Sequence, residues 1–422
     1  MRLTDNPSFL KACAGADCLL PIYIHDHRCE IETQWGFTRV GAHRNQFLSQ
    51  SLTELSDQLL QLNSELVQWH GNLEDIFKYL QKVLGAFDVY TQQIEAPEEK
   101  QDIQILQKIG IRVNQTWQST MIDLQQLPFD VIQMPDVFTQ FRQKIEKEKI
   151  KFTQPVSAPE KLPRLPNEFL MNELRGASSR HLKTAHTTAN QDLCAQLPKN
   201  SIDFQGGEMK AMNHLHKYLQ RRLPDTYKKT RNQLIGMDYS SKFSPWLSHG
   251  CLSARTIAKH LEDYELQWGP NEGTYWLWFE LLWRDYFQCL SFKYGRRLFH
   301  SQGLVRIDSS PFSPKNFNSW ANGQTNEPLI NAGMKELRQT GFSSNRMRQI
   351  LASYWIYDMK GDWRAGAAWF ESQLIDYDVY SNQGNWLYIA GRGPDPRGGR
   401  AFNVHKQMRE YDPEGIFCKM WQ

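Results

Sequence analysis

Short apolar segments alternate with an amphipathic pattern in the first 125 residues, and this alternation constrains the fold more than any other feature of the sequence. The segments CLLPIYIH (18–25), ELVQWHG (65–71), FDVYTQQI (87–94) and IRVNQTW (111–117) are rich in β-branched or aromatic residues and are predicted strands. Between the first two strands, apolar residues recur at roughly helical spacing, at Phe47, Leu52, Leu55, Leu59 and Leu62. The pattern indicates βαβ units, and therefore a parallel sheet with helical crossovers.

The rest of the chain lacks this alternation and divides into a polar segment and a segment with a helical pattern. Residues 126–205, which include QPVSAPEKLPRLP, are polar and proline-spaced, as is typical of a linker that lies over a surface. Residues 206–422 have a helical pattern broken by Gly, Pro and Ser, with no strand pattern. We therefore predict an α/β domain at 1–125, an interdomain linker at 126–205 and an all-helical domain at 206–422. A chain of 422 residues is long enough for two to three such domains.

Composition excludes several classes of protein. Hydrophobic residues make up 40% and charged residues 23%, which is unlike a disordered or a membrane chain. The longest apolar run, 276–283, is interrupted by Glu280 and is too short to span a bilayer. The N-terminus, MRLTDNPSFL, has neither a signal core nor an Arg-rich transit helix, so we expect a cytoplasmic protein. Seven cysteines without a C-x-x-C pair indicate reduced thiols and no structural zinc site.

Charge and tryptophan are unevenly distributed. Residues 1–205 carry 21 Lys and Arg against 25 Asp and Glu, whereas residues 206–422 carry 28 against 21. Eleven of the 14 tryptophans also lie after residue 205. Basic charge interleaved with aromatic residues can bind a nucleic acid, but a large helical core with a solvated basic rim fits equally well. The first domain has no G-x-G-x-x-G and no Walker A loop, so a nucleotide site there has no support.

Two segments of the helical domain carry polar residues at positions that can bind a ligand: one at a predicted helix start and one within an apolar helix. In DYSSKFSPWLSHG (238–250), Ser244 followed by Pro245 predicts the start of a helix. Hydroxyls and free amides ahead of a helix favour a phosphate group, although most Ser-Pro helix starts bind nothing. In TYWLWFELLWRDYF (274–287), Glu280 and Arg284 lie one turn apart. They form either an intrahelical ion pair or two half-buried charges with other partners.

Two later segments carry further polar groups. FSSNRMRQILASYWIYDMKGDW (342–363) is a predicted Ser-capped helix with Asn345 and Arg348 on one face. In LIDYDVYSNQGNWLYIAGRGPDPRGGR (374–400), Asp376 and Asp378 precede Asn382 and a Gly-rich loop that bears arginines. Two neighbouring carboxylates can bind a metal, but no His or Cys lies nearby and EF-hand spacing is absent. Pairing with the arginines of the earlier helices is the preferred interpretation, and no metal is expected.

Taken in order, these motifs resemble one family. GMDYSSKFSPWLSHGCLSAR, FELLWRDYF, FSSNRMRQILASY, DWRAGAAWFESQLIDYDVYSNQGNWLYIAG and GPDPRGGRAFN resemble the flavin-binding helical domain of the photolyase/cryptochrome family, and specifically its cryptochrome-DASH branch. The resemblance covers essentially the whole chain, more loosely in the α/β domain. It implies non-covalent binding of FAD, whose redox states are tuned by the protein.

The resemblance assigns roles residue by residue. Phosphate and ribityl contacts match Tyr227, Ser240, Ser241, Lys242, Phe243 and Ser244, and positions around the flavin ring match Arg284, Asn345, Arg348, Asp376, Asp378 and Asn382. Arg348 is expected to pair with Asp376. A pocket for a flipped-out pyrimidine dimer matches Glu280, Trp283, Asn345 and Tyr388, and a relay of electron-donating tryptophans matches Trp386 and then Trp363. Arg392, Arg397 and Arg400 are expected to meet DNA phosphates.

The implied function is light-driven repair of cyclobutane pyrimidine dimers by electron transfer from FAD. Tyr388 stands where duplex-repairing photolyases carry Trp, and flipping a base out of a duplex costs a few kcal/mol. Single-stranded or looped DNA is therefore the expected substrate, for a monomer without membrane attachment. The alternative is a blue-light photoreceptor that signals without repair. A thermal flavin oxidoreductase is disfavoured, because a nicotinamide fingerprint is absent.

The sequence also departs from the family pattern. The match begins at Arg2–Pro7, one strand later than is usual, so we expect an unpaired sheet edge beside residues 18–25, which favours association. The match ends at Gln422 without a signalling tail. Glu95 and QQIEAPEE match the antenna site only loosely, so weak or no binding of 5,10-methenyltetrahydrofolate is expected. The outer relay tryptophan is missing between Trp283 and Trp320, which leaves Trp320, Trp355 or a surface tyrosine as the exit.

Overall fold

The computed structural model describes residues 1–182, 204–305, 307 and 310–422. Its strands are Ile22–Asp26 (β1), Val67–Gly71 (β2), Asp88–Gln92 (β3) and Arg112–Thr116 (β4). Six helices precede the gap after residue 182: Pro7–Gly15 (α1), Ala42–Gln61 (α2), Leu73–Leu84 (α3), Pro97–Lys108 (α4), Phe138–Lys147 (α5) and Glu168–Leu182 (α6). Cys194 and the end of the predicted linker lie outside the described residues.

The remaining helices all follow residue 207. They are Glu208–Gln220 (α7), Tyr227–Thr230 (α8), Ser244–Ser248 (α9), Ala254–Trp268 (α10), Glu272–Tyr294 (α11), Pro314–Ala321 (α12), Pro328–Thr340 (α13), Asn345–Ser353 (α14), Trp363–Gln373 (α15), Val379–Ala390 (α16), Val404–Tyr411 (α17) and Ile416–Met420 (α18). The predicted fold class, a parallel α/β domain followed by a helical domain, is confirmed. Among the helices of the described ranges, none is long and apolar enough to cross a membrane.

The strands form two separate parallel pairs. β1 pairs with β2 from Ile22↔Val67 to Asp26↔Gly71, and β3 pairs with β4 from Asp88↔Arg112 to Gln92↔Thr116. A cavity of about 1330 Å³ lies between the pairs and is lined by residues of both β1 and β3. No described strand pairs with the cavity side of β1, and the amide of Leu19 just before it donates to the carbonyl of Arg164. Of the edge predicted to be unpaired beside residues 18–25, Cys18 and Leu19 bridge to Arg164, whereas β1 itself has β2 as its one strand partner among the described strands.

The segment predicted as a linker contains two helices with buried faces. In α6, Met171, Leu174 and Ala177 are buried against Val67 and Trp69 of β2. In α5, Phe138, Phe141 and Ile145 are buried against the helical domain. Both helices are amphipathic, and the apolar stripe of each packs onto a different domain. The predicted domain boundaries themselves stay a prediction.

Buried polar contacts join the α/β domain to the helical domain. The carboxylate of Asp285 in α11 accepts from the amides of Met121 and Ile122, at 2.9 and 3.0 Å. Arg255 of α10 donates to Asp5 at 3.0 Å, and both side chains are buried. Burial raises the pKa of Asp285 to about 7. Buried charged groups of this kind need fixed partners, so the two domains are held in a defined arrangement.

Candidate functional site

The loop before α9 has an unusual backbone that suits an anion. Ser240 and Lys242 have φ angles of +57° and +53°, in the left-handed region, and Ser241 lies between them. An alternation of left- and right-handed residues turns successive amides toward one point and forms an anion-binding concavity. Among the hydrogen bonds of the described residues, none is donated by the amides of these three residues. We call residues 240–242 the nest loop.

In the nest loop, backbone amides are better placed than the helix end to bind a phosphate. The helix that begins at Ser244 has five residues, so its dipole is short and the loop amides matter more. The Tyr227 hydroxyl hydrogen-bonds the side chain of Ser240, and burial raises the pKa of this tyrosine to about 12. The side chain of Phe243 is buried against Tyr218, with ring centroids 5.2 Å apart. Phe243 is therefore a core residue, and its predicted contact with the cofactor stays a prediction.

The side chain of Lys242 is also buried. Its ammonium turns inward, donates to the carbonyls of Met237 and Tyr239, and lies 3.5 Å from the centroid of the Tyr239 ring. The side chain is buried, and burial lowers the pKa of Lys242 to about 7. The Lys242 ammonium is therefore occupied by contacts with the segment just before it.

The predicted ring pocket contains the expected ion pair. Arg348 of α14 donates to Asp376 at 2.8 Å, and its Nε donates to the carbonyl of Ser343. Asp378 caps α16, because its side chain accepts from the amide of Ser381. Asn382 donates to the carbonyl of Ala367. The pairing predicted for Arg348 and Asp376 is confirmed.

Several buried polar atoms near this pocket lack a partner among the described residues. They are the Tyr239 hydroxyl, Glu336 Oε2, Ser343 Oγ and Asp376 Oδ1. A buried polar atom without a partner is costly unless a ligand or water satisfies it. These atoms and the free amides of the nest loop fit a large polar ligand with a phosphate end and a hydrogen-bonding ring, as in a flavin dinucleotide.

Two other residues expected beside the ring have different surroundings. Arg284 donates to the carbonyl of Ser119, and so it contributes to the contact between α11 and the α/β domain. Asn345 is exposed at the first turn of α14, where it can face a substrate.

Trp386 and Trp363, which are predicted to relay electrons, are both buried and contact different residues. The ring contacts of Trp386 among the described residues are with Trp320 and Phe370, at 6.5 and 5.1 Å. Trp363 is buried and donates its indole N–H to the carbonyl of Ser301 at 2.9 Å.

The predicted dimer pocket lies on α11 and α16. The rings of Trp283 and Tyr388 meet edge to face, with centroids 6.3 Å apart. Glu280, one turn before Trp283, pairs with Arg231 and not with Arg284. A small cavity lies between Trp283, Tyr388 and the Gly-rich loop.

Two residues of this region escaped the sequence prediction. The Arg231 guanidinium pairs with Glu280 and lies 4.7 Å from the centroid of the Trp276 ring. The basic run KKTR that contains Arg231 is the signal that could have revealed it. Phe138 stacks on Trp283 with ring centroids 3.7 Å apart. It was missed because its segment is polar and proline-spaced overall.

The three arginines predicted to bind DNA do not share one environment. Arg392 is only 7% exposed and donates to the carbonyl of Ile307, so its predicted role as a surface phosphate contact is wrong. Arg397 is exposed and forms a two-point ion pair with Asp395. Arg400 donates to the Tyr388 hydroxyl at 3.0 Å and covers the ring at 4.9 Å. Arg397 and Arg400 therefore border the dimer pocket.

The residues expected near an antenna or a metal are used in protein contacts. The carboxylate of Glu95 accepts from Gln93 and Lys100, and its amide donates to the hydroxyl of Tyr380 in α16. Within the described residues no group of three His, Cys, Asp or Glu side chains is placed to hold a metal ion.

Comparison with known proteins agrees with this geometry. Residues 1–163 match the family described as DNA photolyase, and residues 276–422 match the FAD binding domain of DNA photolyase. Cryptochrome DASH of Xenopus laevis is 40% identical over all of this chain and 80% of its own length. The chloroplastic/mitochondrial cryptochrome DASH of Oryza sativa subsp. japonica is 39% identical over all of this chain and 75% of its own.

A solved structure extends the comparison to the fold. The crystal structure of the cryptochrome of Synechocystis sp. PCC6803 superposes with a TM-score of 0.87 and 37% identity, and it covers all of this chain and 86% of the other. The fold and the pocket define an FAD-binding flavoprotein. The chain belongs to the photolyase/cryptochrome family, in its cryptochrome-DASH branch.

Proposed function

We propose that this blue-light flavoprotein repairs cyclobutane pyrimidine dimers and prefers single-stranded or looped DNA. The observation that supports the proposal is that Trp283 and Tyr388 line one cavity together with Arg397, while Arg400 covers the Tyr388 ring and Glu280 lies one turn before Trp283 on the same helix. A receptor that only signals has no need of an aromatic pocket with an acid at its edge. Aromatic faces and a polar edge contact are the usual requirements of an enzyme that binds a flipped base.

Each side chain has a distinct task in this proposal. The rings of Trp283 and Tyr388 meet at a steep angle, so they can cover two faces of a bent dimer. Glu280 accepts from a ring N–H of the dimer, and Arg231 donates to a carbonyl or to the adjacent phosphate. Ring stacking and hydrogen bonds together exclude water from the dimer.

The reaction needs neither a nucleophile nor a metal ion. When bound in its reduced state, FAD would supply the electron for repair on absorbing blue light. The dimer accepts that electron, two carbon–carbon bonds of the cyclobutane ring break, and the electron returns, so the overall reaction is redox neutral. Arg348 and Asp376 orient the ring end of the cofactor, and the nest loop binds its phosphates.

The preference for single strands follows from energetics. Extrusion of a dimer from a duplex costs a few kcal/mol, which a single strand does not require. The positive charge of Arg397 is largely neutralised by Asp395, and Arg392 is buried. The surface near the pocket therefore supplies little positive charge to offset the cost of extruding a dimer from a duplex. Single-stranded DNA is therefore the better substrate.

The direct test is a repair assay. The photoreduced protein is illuminated with blue light, and dimer loss is measured in single-stranded and duplex DNA of the same sequence. Faster repair of the single strand supports the proposal. Equal rates on both contradict the substrate preference, and no repair on either favours the alternative, a photoreceptor without repair.

Three further properties belong to the same proposal. We propose weak or no folate binding, because the carboxylate of Glu95 is already bonded by Gln93 and Lys100. A monomer is proposed, with association through the unpaired edge of β1 at high concentration. The proposed location is the cytoplasm, although the Oryza relative bears an organellar name.

A further inference from the structure

One face of α11 carries a row of three residues that meets the end of α8. Glu272, Trp276 and Glu280 are spaced four residues apart, so they follow one another along the same side of the helix. Lys228 pairs with Glu272, and Arg231 pairs with Glu280. The centroid of the Trp276 ring lies 4.7 Å from Cζ of Arg231 and 5.4 Å from Nζ of Lys228. One aromatic ring is therefore a neighbour of both cations.

The two ion pairs differ in their exposure to solvent. The side chains of Lys228 and Glu272 are 40% and 64% exposed, whereas those of Arg231 and Glu280 are 22% and 29% exposed. A hydrated surface cation gains little from an aromatic face, while a partly dehydrated guanidinium gains more. The contact with Trp276 therefore matters more for Arg231 than for Lys228.

Arg231 has few restraints apart from this ring. Its backbone is fixed at the end of α8, where its amide donates to the carbonyl of Tyr227 at 2.9 Å. Among the hydrogen bonds of the described residues, its side chain donates to Glu280 and to no other group. When Glu280 accepts from a ring N–H of a bound dimer, its carboxylate is shared between the dimer and the guanidinium. The ring of Trp276 is then the contact that keeps Arg231 beside the site.

The Trp276 ring is itself held in place. It is half-buried and meets the ring of Phe279 with centroids 4.5 Å apart. Phe279 in turn meets Phe138 edge to face at 5.1 Å, and Phe138 stacks on Trp283. A continuous set of aromatic contacts thus connects the ring beside Arg231 to the ring proposed to cover the dimer. A planar guanidinium over a fixed ring is restricted in its orientation.

We propose that Trp276 is a positioning residue of the dimer site: its ring holds the Arg231 guanidinium in place when the Glu280 carboxylate binds the dimer. Trp276 does not itself contact the dimer. The inference rests on the proposed function, in which Glu280 and Arg231 contact the dimer or the adjacent phosphate. It predicts that Trp276 strengthens the binding of damaged DNA through Arg231 alone.

The test measures binding in the dark by the full-length protein with FAD bound. One probe is a single-stranded oligonucleotide with one cyclobutane thymine dimer, and the other is the same oligonucleotide without damage. For Trp276→Leu we expect the dissociation constant for the damaged strand to rise about three- to tenfold, as for the loss of a partly dehydrated cation–π contact. The dissociation constant for the undamaged strand should change less than about twofold.

Trp278→Leu is the matched control. Trp278 is half-buried on the same helix, and among the described residues its ring meets Tyr275 and no cation. Its replacement removes an indole from α11 without a change at Arg231. Both dissociation constants should therefore stay within about twofold of wild type.

A double variant tests whether Trp276 acts through Arg231. Arg231→Gln is expected to weaken binding of the damaged strand, and the addition of Trp276→Leu should then weaken it by less than about twofold more. An undiminished effect of Trp276→Leu in the Arg231→Gln background means a general structural role. Wild-type affinity in Trp276→Leu alone means no role. Either result overturns the inference.

The wild-type protein separates this inference from the proposed function. Equal binding of both oligonucleotides by wild type contradicts the dimer site, and the inference fails with it. A wild-type preference for the damaged strand that Trp276→Leu leaves unchanged contradicts the inference alone.

Trp276→Phe covers the case in which Trp276→Leu fails to fold. Phe keeps an aromatic face but attracts a cation less strongly than Trp. We expect a loss of affinity for the damaged strand of about two- to threefold, which disappears in the Arg231→Gln background. A loss that persists there would contradict the coupling of Trp276 to Arg231.

Discussion

Phe138 of α5 stacks on Trp283 of α11 with ring centroids 3.7 Å apart and 15° between the ring planes. Phe138 is 5% exposed, so one face of the tryptophan is covered by a permanent aromatic layer. The segment between the domains therefore lines the cavity that is proposed to bind the dimer. It holds Trp283 in one orientation and leaves its other contacts for the substrate.

Replacement of Phe138 by Ala should therefore affect both stability and substrate binding. We expect a loss of about 3–5 kcal/mol in the free energy of unfolding, as for other buried Phe→Ala changes. Phe138→Leu keeps most of the volume and should cost less, yet it removes the flat stacking partner. Denaturant unfolding measures the first effect and a dimer-binding assay the second. Normal dimer affinity in Phe138→Leu would show that the stack does not orient Trp283.

Glu280→Gln should keep FAD and its colour but reduce dimer repair. The carboxylate lies on the substrate side of α11 and pairs with Arg231, so its loss removes the acceptor for the dimer N–H and leaves Arg231 without its partner. We expect the repair rate to fall at least tenfold. Glu272→Gln is the control, because it lies on the same helix and pairs with Lys228 at the surface. Wild-type repair by Glu280→Gln would remove this residue from the site.

The arginines of the Gly-rich loop should separate into two groups. Arg400→Ala should weaken binding to single-stranded DNA and lower the slope of affinity against salt concentration by up to about one unit, and Arg397→Ala should have a smaller effect because Asp395 already pairs with Arg397. Arg392→Ala should instead lower stability by about 1–3 kcal/mol, because its guanidinium is bonded within the protein. Salt titrations and thermal unfolding of the three variants test this. Loss of DNA affinity in Arg392→Ala with unchanged stability would contradict the structure.

Much of this architecture was readable from the sequence, and the exceptions have physical reasons. Strand patterns and caps are local, so the four strands and the starts of α9 and α14 follow from nearby residues. The pairing of Arg348 with Asp376 was implied by the family resemblance, and the structure contains that ion pair. The pairing of Glu280 with Arg231 and the burial of Arg392 depend on contacts between distant segments, which no local pattern encodes.

The nest loop likewise combines features that a local sequence pattern predicts with features set by contacts between distant segments. The serines and the Ser244-Pro245 helix start predicted a phosphate site formed by hydroxyls and free amides, without specifying the backbone conformation of the loop. The left-handed conformations of Ser240 and Lys242 are set by tertiary contacts, among them the inward turn of the lysine. A sequence pattern does not specify backbone angles that only a folded environment enforces.

Asp285 should make stability depend on pH. Its pKa is raised from an ordinary value of about 3.9 to about 7 in the folded protein, because it is buried. The folded state then binds the proton more tightly than the unfolded state. Its contribution to stability is present below about pH 4 and is lost as the pH rises through about 7. Denaturant unfolding of wild type and Asp285→Asn across this range measures it. An identical slope in both would contradict the assignment.

The last prediction concerns the path by which electrons reach the flavin. Trp386 meets Trp320 edge to face at 6.5 Å, and Trp320 stacks on Trp355 at 5.2 Å, so a second aromatic route leads away from the tryptophan expected nearest the ring. Both further rings are fully buried, which excludes either as a direct contact with a thiol donor. We expect slower photoreduction than in relatives with three relay tryptophans, since an additional step to the surface is needed. Trp386→Phe should abolish photoreduction, and Trp320→Phe and Trp355→Phe should each slow it. Transient absorption decides between the routes: a long-lived tryptophan radical that is unchanged in Trp320→Phe but lost in Trp363→Phe would place the exit at Trp363.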